Sequence, residues 1–246
     1  MIDLNLFDFF AFDFDGTLVD SHPVYKDKDR LYVEHFYHKD ISGTVLEKIE
    51  QQFRDRLGTA YSIEYYLHLD SLFGTGSLPE NTIRERLSWV DENLVKPHIK
   101  LKPGADKLLN LLKNLYPQKK FMLVTGSKRH EIDYFSSNPR SSFKNLFDLN
   151  TFFDCIITQD DVIEQKPSPE PYRKALAALG ATSDDRLLVF EDSIEGVISA
   201  RANNATVIAI ENLCLNTDHC PIQDLSDYYF KNWEEFLDFI SESAHE

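Results

Sequence analysis

The stretch that decides the reading is FDFDGTLVDS, Phe12 to Ser21. Two aspartates, Asp13 and Asp15, stand one residue apart where an apolar run ends, and Gly16 and Thr17 follow at once. An apolar run closed by Asp-Gly also describes a β-hairpin turn. The decapeptide alone leaves both readings open, so the decision falls to the residues that the rest of the chain sets around it.

Working outward, Phe9 to Phe14 reads as a short buried strand. From about Pro23 to Lys96 strand signals are sparse, aromatics are frequent and apolar residues recur at helical spacing, as at Leu46, Ile49, Phe53 and Leu57. Past the turn Lys102-Pro103-Gly104 the rhythm changes. A leucine stripe (Leu108, Leu111, Leu112, Leu115) precedes FMLVT (121–125), which reads as a strand, and CIIT (155–158) reads as another. A second stripe, Tyr172, Ala175, Leu176 and Leu179, has Pro171 near its start and Gly180 as its stop. Then come LLVF (187–190), a helix from about Ile194 to Asn203, TVIAI (206–210), a short strand at Tyr228–Phe230, and a terminal helix striped by Trp233, Phe236, Leu237 and Ile240. Strands alternating with helices predict an α/β fold, a doubly wound parallel sheet covered on both faces. Sites in such sheets lie beyond the C-terminal strand ends. At those ends stand Asp13 and Asp15, Thr125-Gly126-Ser127, Gln159-Asp160-Asp161, and Glu191-Asp192-Ser193.

Composition narrows the partners. With 246 residues, 42% of them hydrophobic, the chain can bury a sizeable core as one large domain or a domain with an insertion. A formal charge of −15 disfavours nucleic acid and anionic membrane surfaces as partners. An anionic substrate then needs a local cation, a lysine or helix N-termini. The three cysteines, Cys155, Cys214 and Cys220, form no CxxC pattern and fit a reduced, cytoplasmic setting. The opening MIDLNLFDFFAF carries Asp3 and Asp8 with no basic segment, unlike a signal peptide, and no apolar run is long enough to span a bilayer.

Four separated stretches now carry a resemblance: DFDGT (13–17), LVTGS (123–127), QKPSPEPY (165–172) and VFEDSIEG (189–196). Their types and order resemble the motifs of the haloacid dehalogenase superfamily, in the group with a helical cap inserted after the first strand. VDS (19–21), KPG (102–104) and FDCIITQDDV (153–162) resemble the phosphoglycolate phosphatase and β-phosphoglucomutase branch. The resemblance implies a Rossmann-like catalytic core from residues 1–20 and 99–246 and an all-helical cap from residues 21–98. It implies a monomer or weak homodimer acting on a small phosphorylated metabolite.

The chemistry can be reasoned from the residues as well. Phosphate-ester transfer needs an in-line nucleophile, compensation of phosphoryl charge and a proton for the leaving oxygen. Asp13 suits the nucleophile, giving an aspartyl-phosphate that divides one hard step into two. Asp15 suits the acid and base, its proton affinity raised by the like charge of Asp13 unless a metal offsets it. Two carboxylates facing a phosphate call for a cation, and Mg²⁺ suits oxygen ligands. The resemblance implies ligands from the Asp13 carboxylate, the Asp15 backbone carbonyl and Asp192, with Glu191 direct or through water. It gives Thr125, helped by the N–H groups of Gly126 and Ser127, to the phosphoryl oxygens, and Lys166 to neutralising phosphate and nucleophile. Each assignment has a plainer alternative: a helix N-terminus favoured by acidic residues for Glu191-Asp192-Ser193, an N-cap for Thr125, a solvated loop lysine for Lys166.

The chain also departs from the pattern. Gln165 stands where the family usually has Gly, and Asn204 where a Gly usually follows the fourth helix, although Asn tolerates the left-handed conformation. Asn204-Ala205-Thr206 matches a glycosylation sequon at an unsuitable helix–strand junction, and GTGS (74–77) lacks the lysine of a phosphate loop and reads as a turn. Asp15 favours phosphoester chemistry over dehalogenation, because dehalogenases lack this second aspartate. Hexose-phosphate mutases resembling this chain carry a histidine twelve residues after the nucleophile, where Tyr25 stands here and His22 is offset. The expectation is therefore a phosphatase. A mutase is the alternative, and a non-catalytic binding module is disfavoured by four intact motifs. The cap holds His22, Tyr25, His35, His38, Arg54, Arg56, Tyr61, Tyr65 and Tyr66 as candidate substrate contacts.

Overall fold

The computed structural model describes residues 2–57, 63–141, 143, 148–212 and 221–243, without the side chains of 54–57, 221, 242 and 243. The chain divides into two compact units, Met1–His22 with Lys100–Glu246, and Pro23–Ile99.

The first unit is built on six parallel strands: β1 (Phe9–Phe12), β2 (Lys120–Val124), β3 (Cys155–Ile157), β4 (Leu187–Glu191), β5 (Thr206–Ile210) and β6 (Tyr228–Phe230). Their order is β3-β2-β1-β4-β5-β6. The chain runs outward from β1 to β3, then returns to the other side of β1 at β4. Phe12 is in register with Leu123 on one side and Phe190 on the other. That parallel pairing excludes the hairpin reading of Asp13–Gly16. All of β1 is buried, as a central strand covered on both faces requires.

One face of the sheet carries Ala11, Met122, Val124, Val189, Val207 and Ala209, packed with Tyr172 and Ala175 of helix Glu170–Ala178 and with Val197 and Ala200 of helix Ile194–Arg201. The other face is aromatic. The Phe12 ring stacks on Phe190 at 4.6 Å between centroids, and Phe190 meets Trp233 at 5.5 Å and Phe236 at 5.6 Å from helix Trp233–Ser243. Each such ring removed from water contributes about 1.5–3 kcal/mol.

Of the expected strands, Phe9–Phe14 runs two residues long and CIIT (155–158) one, FMLVT (121–125) is shifted by one, LLVF (187–190) is one short, and TVIAI (206–210) and Tyr228–Phe230 match. β1 stops at Phe12 because the chain doubles back beyond it: Leu18 N and Val19 N donate to Phe14 O at 2.9 and 3.0 Å, and Gly16 N donates to Val19 O at 2.8 Å. Gly16 holds φ +82°, and a β-carbon there would lie 2.1 Å from an Asp192 oxygen. That position requires glycine on two counts. Asn204 does adopt the left-handed conformation, with φ 57°.

Among its described residues the second unit has helices and connecting loops, with no strand: Lys28–Tyr37, Gly43–Leu57, Ile63–Phe73, Glu80–Val90, a π-helical turn at Asp91–Val95 and a short 3₁₀ turn at Lys96–His98. Its interior contains Tyr32, Val33, Leu46, Phe53, Tyr65, Tyr66, Leu69, Ile83 and Val90. Asp29 is buried among them and accepts from Tyr65 Oη at 2.9 Å and Tyr66 Oη at 2.7 Å, while burial raises its pKa above the ordinary value. Tyr65 and Tyr66, named above as candidate substrate contacts, are thus core residues. The side chains of Arg54 and Arg56, and all of Tyr61, Cys214 and Cys220, lie outside the described residues. GTGS (74–77) is a turn, with Gly76 at φ +68°.

Candidate active site

Parallel strands bring their C-terminal ends to one edge. There β1 delivers Asp13, whose N–H continues the ladder onto Phe190 O at 3.0 Å, β2 delivers Thr125, and β4 ends in Glu191 and is followed by Asp192. Asp13, Thr125, Glu191 and Asp192 are all buried.

Lys166 is not a solvated loop residue. Its side chain is 10% exposed, and Nζ donates to Asp13 Oδ1 at 2.7 Å, Glu191 Oε1 at 2.6 Å and Val124 O at 2.9 Å. An ammonium has three protons, and all three are engaged. Burial alone would weaken the ammonium, but the Asp13 and Glu191 carboxylates outweigh it and hold Lys166 well above its ordinary pKa. Burial pushes Asp13 well above the carboxylate range. Lys166 opposes this, while Glu191 and Asp192 add to it.

Glu191 accepts on both oxygens. Oε1 takes Lys166 and Tyr172 Oη at 2.7 Å, and Oε2 takes the N–H groups of Asp192 and Ser193 at 3.1 and 3.4 Å and Ser193 Oγ at 3.1 Å. Burial raises the Tyr172 hydroxyl well above its usual pKa, and the neighbouring Glu191 charge adds to this. Ser193 also caps helix Ile194–Arg201, its Oγ accepting from Gly196 N at 3.1 Å. The helix-start reading of Glu191-Asp192-Ser193 therefore holds alongside the site reading.

Asp192 accepts from Thr17 Oγ1 at 3.1 Å and Asn212 Nδ2 at 2.6 Å. Burial, with Glu191 nearby, pushes its pKa up to about 7. One carboxylate oxygen from each of Asp13, Glu191 and Asp192 lies within 4.8 Å of the other two, a buried all-oxygen donor set of the kind that suits a hard cation such as Mg²⁺.

Thr125 does not cap a helix, since helix Arg129–Ser137 starts from Lys128. Instead Thr125 Oγ1 accepts from Ser127 N at 3.0 Å and folds the loop back on itself. Gly126 has open space where a side chain would be, and Ser127 Oγ donates to Asp15 Oδ2. Gln165 donates to Gln159 O at 3.2 Å. Sequence reasoning placed Tyr172 in an apolar stripe and at the end of QKPSPEPY, and Thr17 at the end of DFDGT, without giving either a role, and did not name Asn212. A tyrosine in a core stripe does signal a buried hydroxyl that needs a partner. Nothing local marks Asn212.

The arrangement gathers a buried nucleophile-type carboxylate, a lysine that balances it, a second carboxylate two residues on and a cation-type donor set at the switch point of a doubly wound sheet. That is the frame of an enzyme on a doubly wound α/β sheet with a carboxylate at its centre. A family model for haloacid dehalogenase-like hydrolases matches residues 10–210, and the chain belongs to that family.

Among curated relatives, a phosphorylated carbohydrates phosphatase of Thermotoga maritima is 28% identical over 197 residues, covering 78% of this chain and 79% of its own length. The pyrophosphatase PpaX of Halalkalibacterium halodurans is 28% identical over 139 residues, covering 56% of this chain and 64% of that relative, just under two thirds of its length. Among solved structures, a candidate β-phosphoglucomutase from Thermotoga maritima superposes with TM-score 0.74 at 22% identity, over 96% of this chain and 99% of that one.

Proposed function

We propose that this hydrolase is a Mg²⁺-dependent phosphatase that releases phosphate from a small phosphorylated metabolite through an aspartyl-phosphate on Asp13. The observation that carries the reading is the buried Asp13 carboxylate at the end of β1, bonded to Lys166 at 2.7 Å with Asp15 two residues on. Asp13 attacks phosphorus, and Asp15 gives a proton to the leaving oxygen and later takes one from water. Thr125 and the N–H groups of Gly126 and Ser127 receive the phosphoryl oxygens. Lys166, its donors already engaged, acts by fixing Asp13 and by its charge. Asp13, Asp192 and the Asp15 backbone carbonyl would hold Mg²⁺, with Glu191 directly or through water. When bound, the cation supplies charge compensation for the phosphoryl group.

The names of relatives from Thermotoga maritima and Halalkalibacterium halodurans, and that of the yeast glycerol-1-phosphate phosphohydrolase 1 (28% identical over 218 residues, covering 81% of this chain and 72% of its own length), support phosphate esters or anhydrides as substrates. A mutase reading rests on likeness of fold, and Tyr25 stands where such mutases carry their histidine. We assign residues 21–98 to a cap that chooses the leaving group without supplying chemistry, and place the protein in the cytoplasm as a monomer or weak homodimer. No helix among the described residues is long and apolar enough to cross a membrane.

Asp13→Asn keeps the shape and removes the nucleophilic charge. Phosphate release from an aryl phosphate with Mg²⁺ should fall at least a thousandfold with the circular dichroism unchanged, and EDTA should silence the wild type. Near-full turnover by Asp13→Asn would refute the mechanism. A panel of phosphorylated metabolites identifies the substrate. Substitutions within residues 23–98 should reorder that panel while sparing the small aryl ester, and loss of the aryl activity in a folded variant would put a catalytic group in the cap.

A further inference from the structure

Asn212 lies two residues beyond β5, outside all four motifs, and is 5% exposed. Its neighbour Glu211 fixes the backbone there. Glu211 N donates to Phe230 O at 2.9 Å, Glu211 O accepts from Lys102 Nζ at 2.9 Å, and Glu211 Oε1 accepts from Tyr229 Oη at 2.7 Å. The residue that follows so anchored a segment has little freedom.

From that position the Asn212 side chain reaches both Asp192 and His22. Nδ2 lies 2.6 Å from Asp192 Oδ2 and 3.1 Å from His22 Nδ1. The orientation of the amide follows from chemistry. An amide oxygen set 2.6 Å from a carboxylate oxygen would be repelled, so the NH₂ faces Asp192 and can give one proton to each neighbour. His22 then accepts on Nδ1 and, as a neutral ring, carries its proton on Nε2. Thr17 Oγ1 holds the other Asp192 oxygen at 3.1 Å. Gly16 makes room for this pairing, because a β-carbon there would lie 2.1 Å from Asp192 Oδ2 and 2.4 Å from Asn212 Nδ2.

We infer that Asn212 is a positioning residue for the cation site: clamped between His22 and Asp192, its amide locks the Asp192 carboxylate in the rotamer that faces Asp13. The inference rests on the assignment of Asp192 as a cation ligand. A carboxylate free to rotate must be ordered when a cation binds, whereas one fixed by outer hydrogen bonds is ordered beforehand. Such outer partners typically change metal affinity 10- to 100-fold. The role belongs to binding, and turnover at saturating cation depends on it far less.

The test is Mn²⁺ binding by the full chain, read by electron paramagnetic resonance of the free ion, with Mg²⁺ as competitor and without substrate. Asn212→Ala should weaken both cations about 10- to 100-fold, and kcat at saturating Mg²⁺ should stay within a few-fold. Asn212→Ser keeps a shorter donor and should fall between. It also serves as the working variant if the alanine form does not fold. His22→Ala removes only the far anchor and should weaken the cations two- to fivefold. A structural role alone would lower the metal-free unfolding midpoint and leave the dissociation constants unchanged, and unchanged constants in a folded Asn212 variant overturn the inference while leaving the phosphatase reading in place. Unchanged affinity in His22→Ala overturns the two-sided clamp. A wild type that binds neither cation removes this inference together with the Mg²⁺ reading on which it rests.

Discussion

Lys166→Met tests whether the site is a balanced charge cluster. Methionine keeps much of the length and volume of lysine but supplies no proton to Asp13, Glu191 or Val124 O, which lie 2.7, 2.6 and 2.9 Å from Nζ. The side chains of Asp13 and Glu191 are 10% and 0% exposed, so water cannot replace the lost charge. Breaking a buried ion pair from one side costs about 3–5 kcal/mol. With a urea m-value of about 2 kcal/mol/M, that lowers the unfolding midpoint by roughly 1.5–2.5 M.

The two tryptophans make the assay specific. Trp233 is fully buried in the first unit, with Nε1 donating to Thr17 O at 2.9 Å, whereas Trp89 belongs to the second. In a Trp89→Phe background, fluorescence in urea and EDTA reports the first unit alone. Adding Glu191→Gln to Lys166→Met removes one of the stranded charges and should recover about half of the loss. The amide oxygen can take the Asp192 and Ser193 N–H groups while its NH₂ turns to Tyr172. The pH dependence has a definite sign. Burial raises Asp13 and Lys166 opposes this, so removing Lys166 raises Asp13 further and the folded variant binds more protons on Asp13 than the folded wild type above about pH 4. The deficit should therefore grow as pH rises from about 4 and shrink on acidification. A loss below about 1 kcal/mol, or a deficit flat between pH 5 and 8, would refute the charge-balance argument.

Two further predictions concern other parts of the chain. Gly196→Ala would set a β-carbon 2.0 Å from the Glu191 carboxylate, which five donors hold in place, and should destabilise the first unit by about 1–3 kcal/mol in the same urea assay. In the second unit burial raises Asp29, so its folded pKa lies above the unfolded value and its ionised form detracts from stability as pH rises through that interval. Asn at position 29 can accept from one of the two tyrosine hydroxyls and donate its NH₂ to the other, without the charge. The stability of Asp29→Asn relative to wild type should rise from pH 4 upward and then level off, as thermal melts across pH 4–7 would show.

The sequence alone determined the sheet and most of the side chains that gather at its edge. Phe9–Phe12, Leu187–Phe190 and Thr206–Ile210 are apolar runs too short for helices and bounded by turn residues. Parallel strands must then carry Asp13, Thr125, Glu191 and Asp192 to one side, because direction along the chain fixes which end of each strand faces the site. Strand ends were less legible, since whether Asp13 and Phe14 continue the strand depends on the loop closing onto Phe14 O, a contact that the local apolar pattern does not encode.

What Lys166 does with its three protons, that Tyr172 Oη meets Glu191, and that Asn212 meets both Asp192 and His22 were decided only by the tertiary structure. These partners lie 19 to 190 residues apart, as with Tyr172–Glu191 and His22–Asn212. In sequence Asn212 is indistinguishable from any loop asparagine. It faces Asp192 because β5 lies beside β4, and β4 beside β1, and that lateral order is set by which sheet faces and helices pack together across the whole core rather than by any local run of residues.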